Sequence, residues 1–104
     1  MYRQGDVLLV PVGAIPEGLT RRTGRLVLAT GEATGHAHVI EDEAAALYGD
    51  ALDQRFLEVL GEGGVDLVHT SDPVEHDTLT IPPGIYKVHR QREYTPEAIR
   101  MVAD

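Results

Sequence analysis

Residues 55–69 read RFLEVLGEGGVDLVH, and this stretch indicates the class of fold. Two short apolar runs flank Gly61-Glu62-Gly63-Gly64, a segment whose glycines permit the positive φ angles of a tight turn. Runs this short, bounded by turn residues, are typical of β-strands rather than helices. The stretch therefore predicts a β-hairpin.

Glycine, proline and acidic residues interrupt short apolar runs along the rest of the chain as well, and this pattern predicts an all-β domain. Pro82-Pro83-Gly84 predicts a second hairpin turn, because proline fits strand ends better than central strands. Further strands are expected over residues 6–12, 25–30 and 36–40, and residues 44–48 are expected to form a strand or a short helical turn.

After the last predicted strand, residues 95–102 predict a short C-terminal helix. Thr95 would be its N-cap and Pro96 its first residue, where the missing N–H of proline costs nothing. We therefore expect a single domain over residues 1–104, a small β-barrel or sandwich with a short C-terminal helix.

The amino-acid composition argues against several classes of function. The 104 residues fit one globular domain, and a net charge of -8 argues against binding to nucleic acid or to an anionic membrane. No apolar run approaches the roughly 20 residues of a membrane-spanning helix, and the N-terminus lacks a secretory signal pattern, so we expect a cytoplasmic protein. Cysteine is absent, so any metal would be held by His, Asp or Glu.

The five histidines are the most informative polar residues. His36 and His38 are two positions apart, so their rings would share one face of a strand. His69 ends one predicted strand and His76 precedes the next, so the loop between them could bring both toward the same point. These four residues predict a site for zinc, iron, nickel or manganese. His89 lies within a predicted strand and is expected to be solvated.

Two kinds of function remain open from the residues alone. In a metalloenzyme, the ion would act on a small polar substrate, and Glu32, held on a turn by flanking glycines, would be the candidate general base. In a non-catalytic binding or assembly module, the histidines would hold a structural ion or simply pack. Uncovered edges of a small β domain make self-association plausible as well, so the expected partners are a small ligand, another protein or a second copy.

Two resemblances accompany these motifs. The segment from Gly31 to His38, followed by Glu41 or Glu43 and Gly49, resembles the first motif of cupins, which implies a metal bound by histidines and a glutamate inside a β-barrel. Its interval from glycine to histidine is one residue shorter, and no second cupin motif follows. The chain also resembles small bacterial and phage proteins of unknown function that share Gly-Glu-x-Thr-Gly-His-x-His (residues 31–38) and Gln-Arg-Glu-Tyr (residues 91–94).

Overall fold

The computed structural model describes residues 1–30, 36–49, 54–70 and 77–90. These ranges contain ten strands: β1 (Tyr2–Gln4), β2 (Val7–Pro11), β3 (Thr20–Arg22), β4 (Arg25–Thr30), β5 (Ala37–Glu41), β6 (Ala45–Gly49), β7 (Arg55–Val59), β8 (Val65–Thr70), β9 (Leu79–Ile81) and β10 (Gly84–Arg90). Within the same ranges, no helix has the length and apolarity that crossing a membrane requires.

The strands form two antiparallel sheets. The six-stranded sheet has the order β1-β2-β10-β7-β6-β3, and the four-stranded sheet has the order β4-β5-β8-β9. The predicted β class is confirmed, and residues 44–48 belong to a strand rather than a helical turn. The barrel alternative is wrong, because the strands of the described ranges divide into two sheets instead of closing into one. The predicted C-terminal helix lies outside the described residues.

Both predicted hairpins are wrong, although both turns occur. The turn after β7 leads to β8, which belongs to the other sheet, and the turn after β9 likewise leads from one sheet to the other. Two backbones approach closely where these turns lie: Gly64 has a φ of +74°, and a Cβ there would clash with the carbonyl oxygen of Ile81. Turn chemistry determines that the chain reverses, whereas burial determines which strand it then pairs with.

The two sheets share one hydrophobic core. Alternate residues of each sheet point into it, and its largest fully buried members are Leu9, Leu28, Ile40, Leu57, Leu67 and Ile81. A bulge between Val27 and Ala29 interrupts the β4–β5 ladder. There the carbonyl oxygen of Leu28 accepts a hydrogen bond from Arg55 Nη1 at 2.6 Å, which ties β4 to β7 of the other sheet.

A loop of residues 12–19, which we call the crossing loop, connects β2 to β3 across the six-stranded sheet. Four strand spacings separate β2 from β3 in the sheet order, a distance of about 19 Å. The loop begins with a backbone hydrogen bond from Val12 N to Ile85 O at 2.9 Å. It then runs over Ile85, Glu58 and Tyr48. Neighbouring positions Leu57 and Tyr86 point into the core, so the loop lies on the outer face of the sheet.

Candidate functional site

Three of the predicted metal ligands lie together at one end of the four-stranded sheet. His38 and His69 are directly paired across β5 and β8. Their positions share the inward face with Ile40 and Leu67, which belong to the core, because side chains on a strand alternate between faces. The exposed fractions of the two histidines are accordingly 3% and 5%. His36 directly precedes β5 and is half-buried.

The imidazole rings are in contact. The ring centroids of His38 and His69 are 4.7 Å apart with a tilt of 52°, and those of His36 and His69 are 5.6 Å apart in a T-shaped arrangement. The structure therefore brings these three histidines together. Glu32 and His76, the candidate base and the fourth predicted ligand, lie outside the described residues, and their roles stay predictions.

Gln4 reaches this site from the six-stranded sheet. β1 and β2 are joined by a two-residue turn in which Gly5 has a φ of 56°, a conformation that glycine adopts without strain. The buried amide of Gln4 donates hydrogen bonds from Nε2 to the carbonyl oxygens of Leu67 and Asp77, at 2.8 and 2.9 Å. Both partners are acceptors, so the orientation of the amide is determined. Its oxygen, Oε1, lies 2.8 Å from His38 Nδ1.

The second residue of the same turn holds the other side of the ring. Asp6 Oδ1 lies 3.1 Å from His38 Nε2, and Asp6 Oδ2 lies 3.2 Å from Arg90 Nη2. Arg90 also donates to the carbonyl oxygen of Thr30 at 2.8 Å. We call Gln4, Asp6, His38 and Arg90 the polar cluster. It connects β1, β2 and β10 of one sheet to β4, β5 and β8 of the other.

Counting donors and acceptors determines the protons of His38. Because Gln4 Oε1 can only accept, Nδ1 must carry a hydrogen and donate it. Nε2 faces a carboxylate oxygen, which is also an acceptor, so a proton must lie between Nε2 and Asp6. Arg90 stabilises the negative charge on Asp6, and this charge favours His38 as the holder of that proton. The pair therefore contains an imidazolium facing a carboxylate.

This arrangement does not fit a metal ion bound to His38. A metal requires the lone pair of a ring nitrogen, and both nitrogens of His38 face acceptors of the protein. Among the residues that the structure describes, no three His, Asp or Glu side chains form a group that could hold one ion. The polar cluster is instead suited to joining the sheets, since each of its links crosses from one to the other or supports a residue that does.

Three members of the polar cluster were not predicted as site residues. Gln4, Asp6 and Arg90 belong to no motif, and the sequence separates Gln4 from His38 by 34 positions and Asp6 from Arg90 by 84. The available local signal was Gln-Gly-Asp at the start of a buried strand, where a glycine turn places two polar side chains near each other. That signal predicts a turn but does not identify the residues with which the two polar side chains interact.

The pKa of the Asp6 carboxyl reflects its neighbours. Partial burial alone would raise the pKa, but the hydrogen bond and charge of Arg90, together with the charge of His38, hold it below its ordinary value of 3.8. A carboxyl whose folded pKa is lowered stabilises the fold when ionised. Its contribution is complete above the unfolded pKa and is lost as the pH falls through the lower, folded value.

The difference in unfolding free energy between the wild type and Asp6→Asn should therefore shrink as the pH falls below about 5. Urea unfolding of both proteins at a series of pH values down to about pH 3 measures this difference. Glu62→Gln is the matched control, since Glu62 is exposed in the turn of residues 61–64. If the Asp6 difference stays constant to the lowest pH, the carboxylate does not stabilise the fold through this pair.

Comparison with known proteins gives a family. No curated protein and no solved structure matches the sequence. A family model described as a domain of unknown function, DUF8820, matches residues 3–91, a range that includes the whole polar cluster and His36 and His69. This match agrees with the expected membership in a family of unknown function and does not support the resemblance to cupins. The chain belongs to the DUF8820 family.

Proposed function

We propose that the chain is a non-catalytic binding module, located in the cytoplasm, in which the buried histidines hold the two sheets together. One observation carries this proposal: each ring nitrogen of His38, which belongs to the four-stranded sheet, faces a residue from the β1–β2 hairpin of the other sheet. A histidine whose two ring nitrogens both donate to acceptors of the protein joins parts of the fold and offers no lone pair to a ligand.

The energetics agree with this role. A buried hydrogen bond contributes about 1 kcal/mol net, but a buried polar group that loses its partner costs about 1–3 kcal/mol. If the two sheets slid relative to each other, several polar groups of the cluster would lose their partners together. The polar cluster therefore stabilises one alignment of the sheets against the others. Such a cluster favours one arrangement of the sheets, which keeps the outer surfaces of the module fixed for a partner.

A second candidate function is a divalent-metal site with the character of a metalloenzyme. It is favoured by the contact of His36, His38 and His69, because three imidazoles meet where the sequence predicted a metal. In this candidate the ligands are His36, His38, His69 and His76, the ion is zinc, iron, nickel or manganese, and Glu32 is the base acting on a small polar substrate. His38 would first have to exchange its present partners.

The two candidates differ in metal content. Elemental mass spectrometry on untagged protein should find less than about 0.1 equivalent of transition metal per chain, and treatment with a chelator should leave the unfolding temperature unchanged. The matched variants are His36→Ala/His69→Ala and, as a control outside the cluster, His89→Ala. About one equivalent of metal in the wild type and in His89→Ala, lost in the double variant, would overturn the role of the histidines as a metal-free link between the sheets and establish the metal site.

A further inference from the structure

A groove lies between the crossing loop and the outer face of the six-stranded sheet. Its volume is about 460 Å³, within the range of about 300–1,000 Å³ that ligand sites occupy. One side is formed by the loop, with Ile15 and Leu19 half-buried. The floor is formed by Ile85, Glu58 and Tyr48, one residue from each of three adjacent strands.

Glu58 gives the groove its chemistry. Its Oε1 accepts a hydrogen bond from the Tyr48 hydroxyl at 3.2 Å, and Tyr48 in turn accepts one from Arg21 Nε at 3.2 Å. Within the described part of the chain, no group donates to the second oxygen, Oε2. Glu17, an exposed residue of the crossing loop, also lines the groove. The groove therefore combines apolar walls with the half-buried carboxylate of Glu58, whose Oε2 retains its acceptor capacity.

We infer that this groove binds a lysine side chain presented by a protein partner. The four methylene groups of lysine would pack between Ile15, Leu19 and Ile85, and its ammonium group would donate to Glu58 Oε2. Arginine fits less well, because its planar fork favours a bidentate contact with both carboxylate oxygens and would share Oε1 with the Tyr48 hydroxyl. This inference rests on the proposed binding function and names its partner chemistry.

Two further observations favour a protein partner over a free amine. The groove is open to solvent along its length, whereas sites for small molecules enclose most of the ligand surface. A side chain held by a partner does not need such enclosure, since contacts around it contribute to binding. The net charge of -8 also attracts a basic partner and accelerates its approach.

The test uses the full, untagged chain and a pentapeptide, ALKLA, with both ends blocked. In ¹⁵N NMR titrations, we expect saturable shifts of the backbone amides of Gly13, Gly18 and Leu19. Replacing the peptide lysine by Nε-acetyllysine, which keeps the stem and removes the charge, should weaken binding about tenfold. Glu58→Gln should weaken binding of the original peptide by a similar factor, whereas Glu62→Gln, with its carboxyl outside the groove, should not change it.

Three results would overturn the inference: no saturable shifts, equal affinity for the acetylated peptide, or equal affinity for free n-hexylamine, which would make the groove an amine site. The acetylated peptide is tested on the wild type, so the result stands even if Glu58→Gln folds poorly. Failure here is distinct from failure of the proposed function. The first is measured by the peptide titration and the second by the metal content.

Discussion

Replacing His38 by alanine is expected to lower the free energy of unfolding by about 4 kcal/mol, a large part of the stability of a domain this size. The substitution removes a buried ring and leaves a cavity beside His69. It also leaves Gln4 Oε1 and Asp6 without their shared partner. Arg90 and solvent partly compensate Asp6, which is 36% exposed, but the amide of Gln4 is buried.

Urea unfolding at pH 7 measures this loss, and His89→Ala is the matched control. His89 belongs to β10 and pairs with Leu8 on the outer face of the six-stranded sheet, away from the polar cluster. Its replacement should cost less than about 1 kcal/mol. Similar losses for the two histidines would show that His38 has no special role in joining the sheets.

Gln4→Leu is expected to lower the free energy of unfolding by about 3 kcal/mol. Leucine has a similar volume, so packing is nearly conserved and the loss comes from polar groups. The carbonyl oxygens of Leu67 and Asp77 lose their shared donor, and Nδ1 of His38 loses its acceptor. Three hydrogen bonds at about 1 kcal/mol each give the expected loss.

A double-mutant cycle separates this explanation from a general loss of packing. If Gln4 and His38 act through their hydrogen bond, the double variant Gln4→Leu/His38→Ala should be about 1 kcal/mol more stable than the sum of the two single losses predicts. Strictly additive losses would mean that the two residues stabilise the fold independently, and the polar cluster would not act as a unit.

Several elements were predictable because their signals are local. The strand expected over residues 25–30 is β4, and the strand expected over residues 36–40 differs from β5 by one residue at each end. The turn of residues 61–64 is also present, with a backbone hydrogen bond from Gly64 N to Gly61 O at 2.9 Å. The sheets to which the flanking strands belong were not predictable, because the same glycines permit a hairpin and a connection between two sheets.

The candidate site also has features that the sequence predicts and features that it does not. The location of His36 and His38 at one place followed from their spacing of two, whereas their contacts with His69 depend on the pairing of β5 with β8. The acceptors around His38 could not be predicted, because Gln4 and Asp6 reach it only after the two sheets pack. Those acceptors change the interpretation of His38, since they face both of the ring nitrogens with which it could bind a metal.

The most direct test is the state of the His38 ring in solution. Long-range ¹H–¹⁵N NMR on untagged protein at pH 7 reports which ring nitrogens carry protons, before and after one equivalent of Zn²⁺ is added. We predict a protonated Nδ1 on His38 and ring resonances that zinc does not change. A His38 nitrogen without a proton whose resonance shifts with one equivalent of zinc would contradict the structural role and show that the histidines hold a metal.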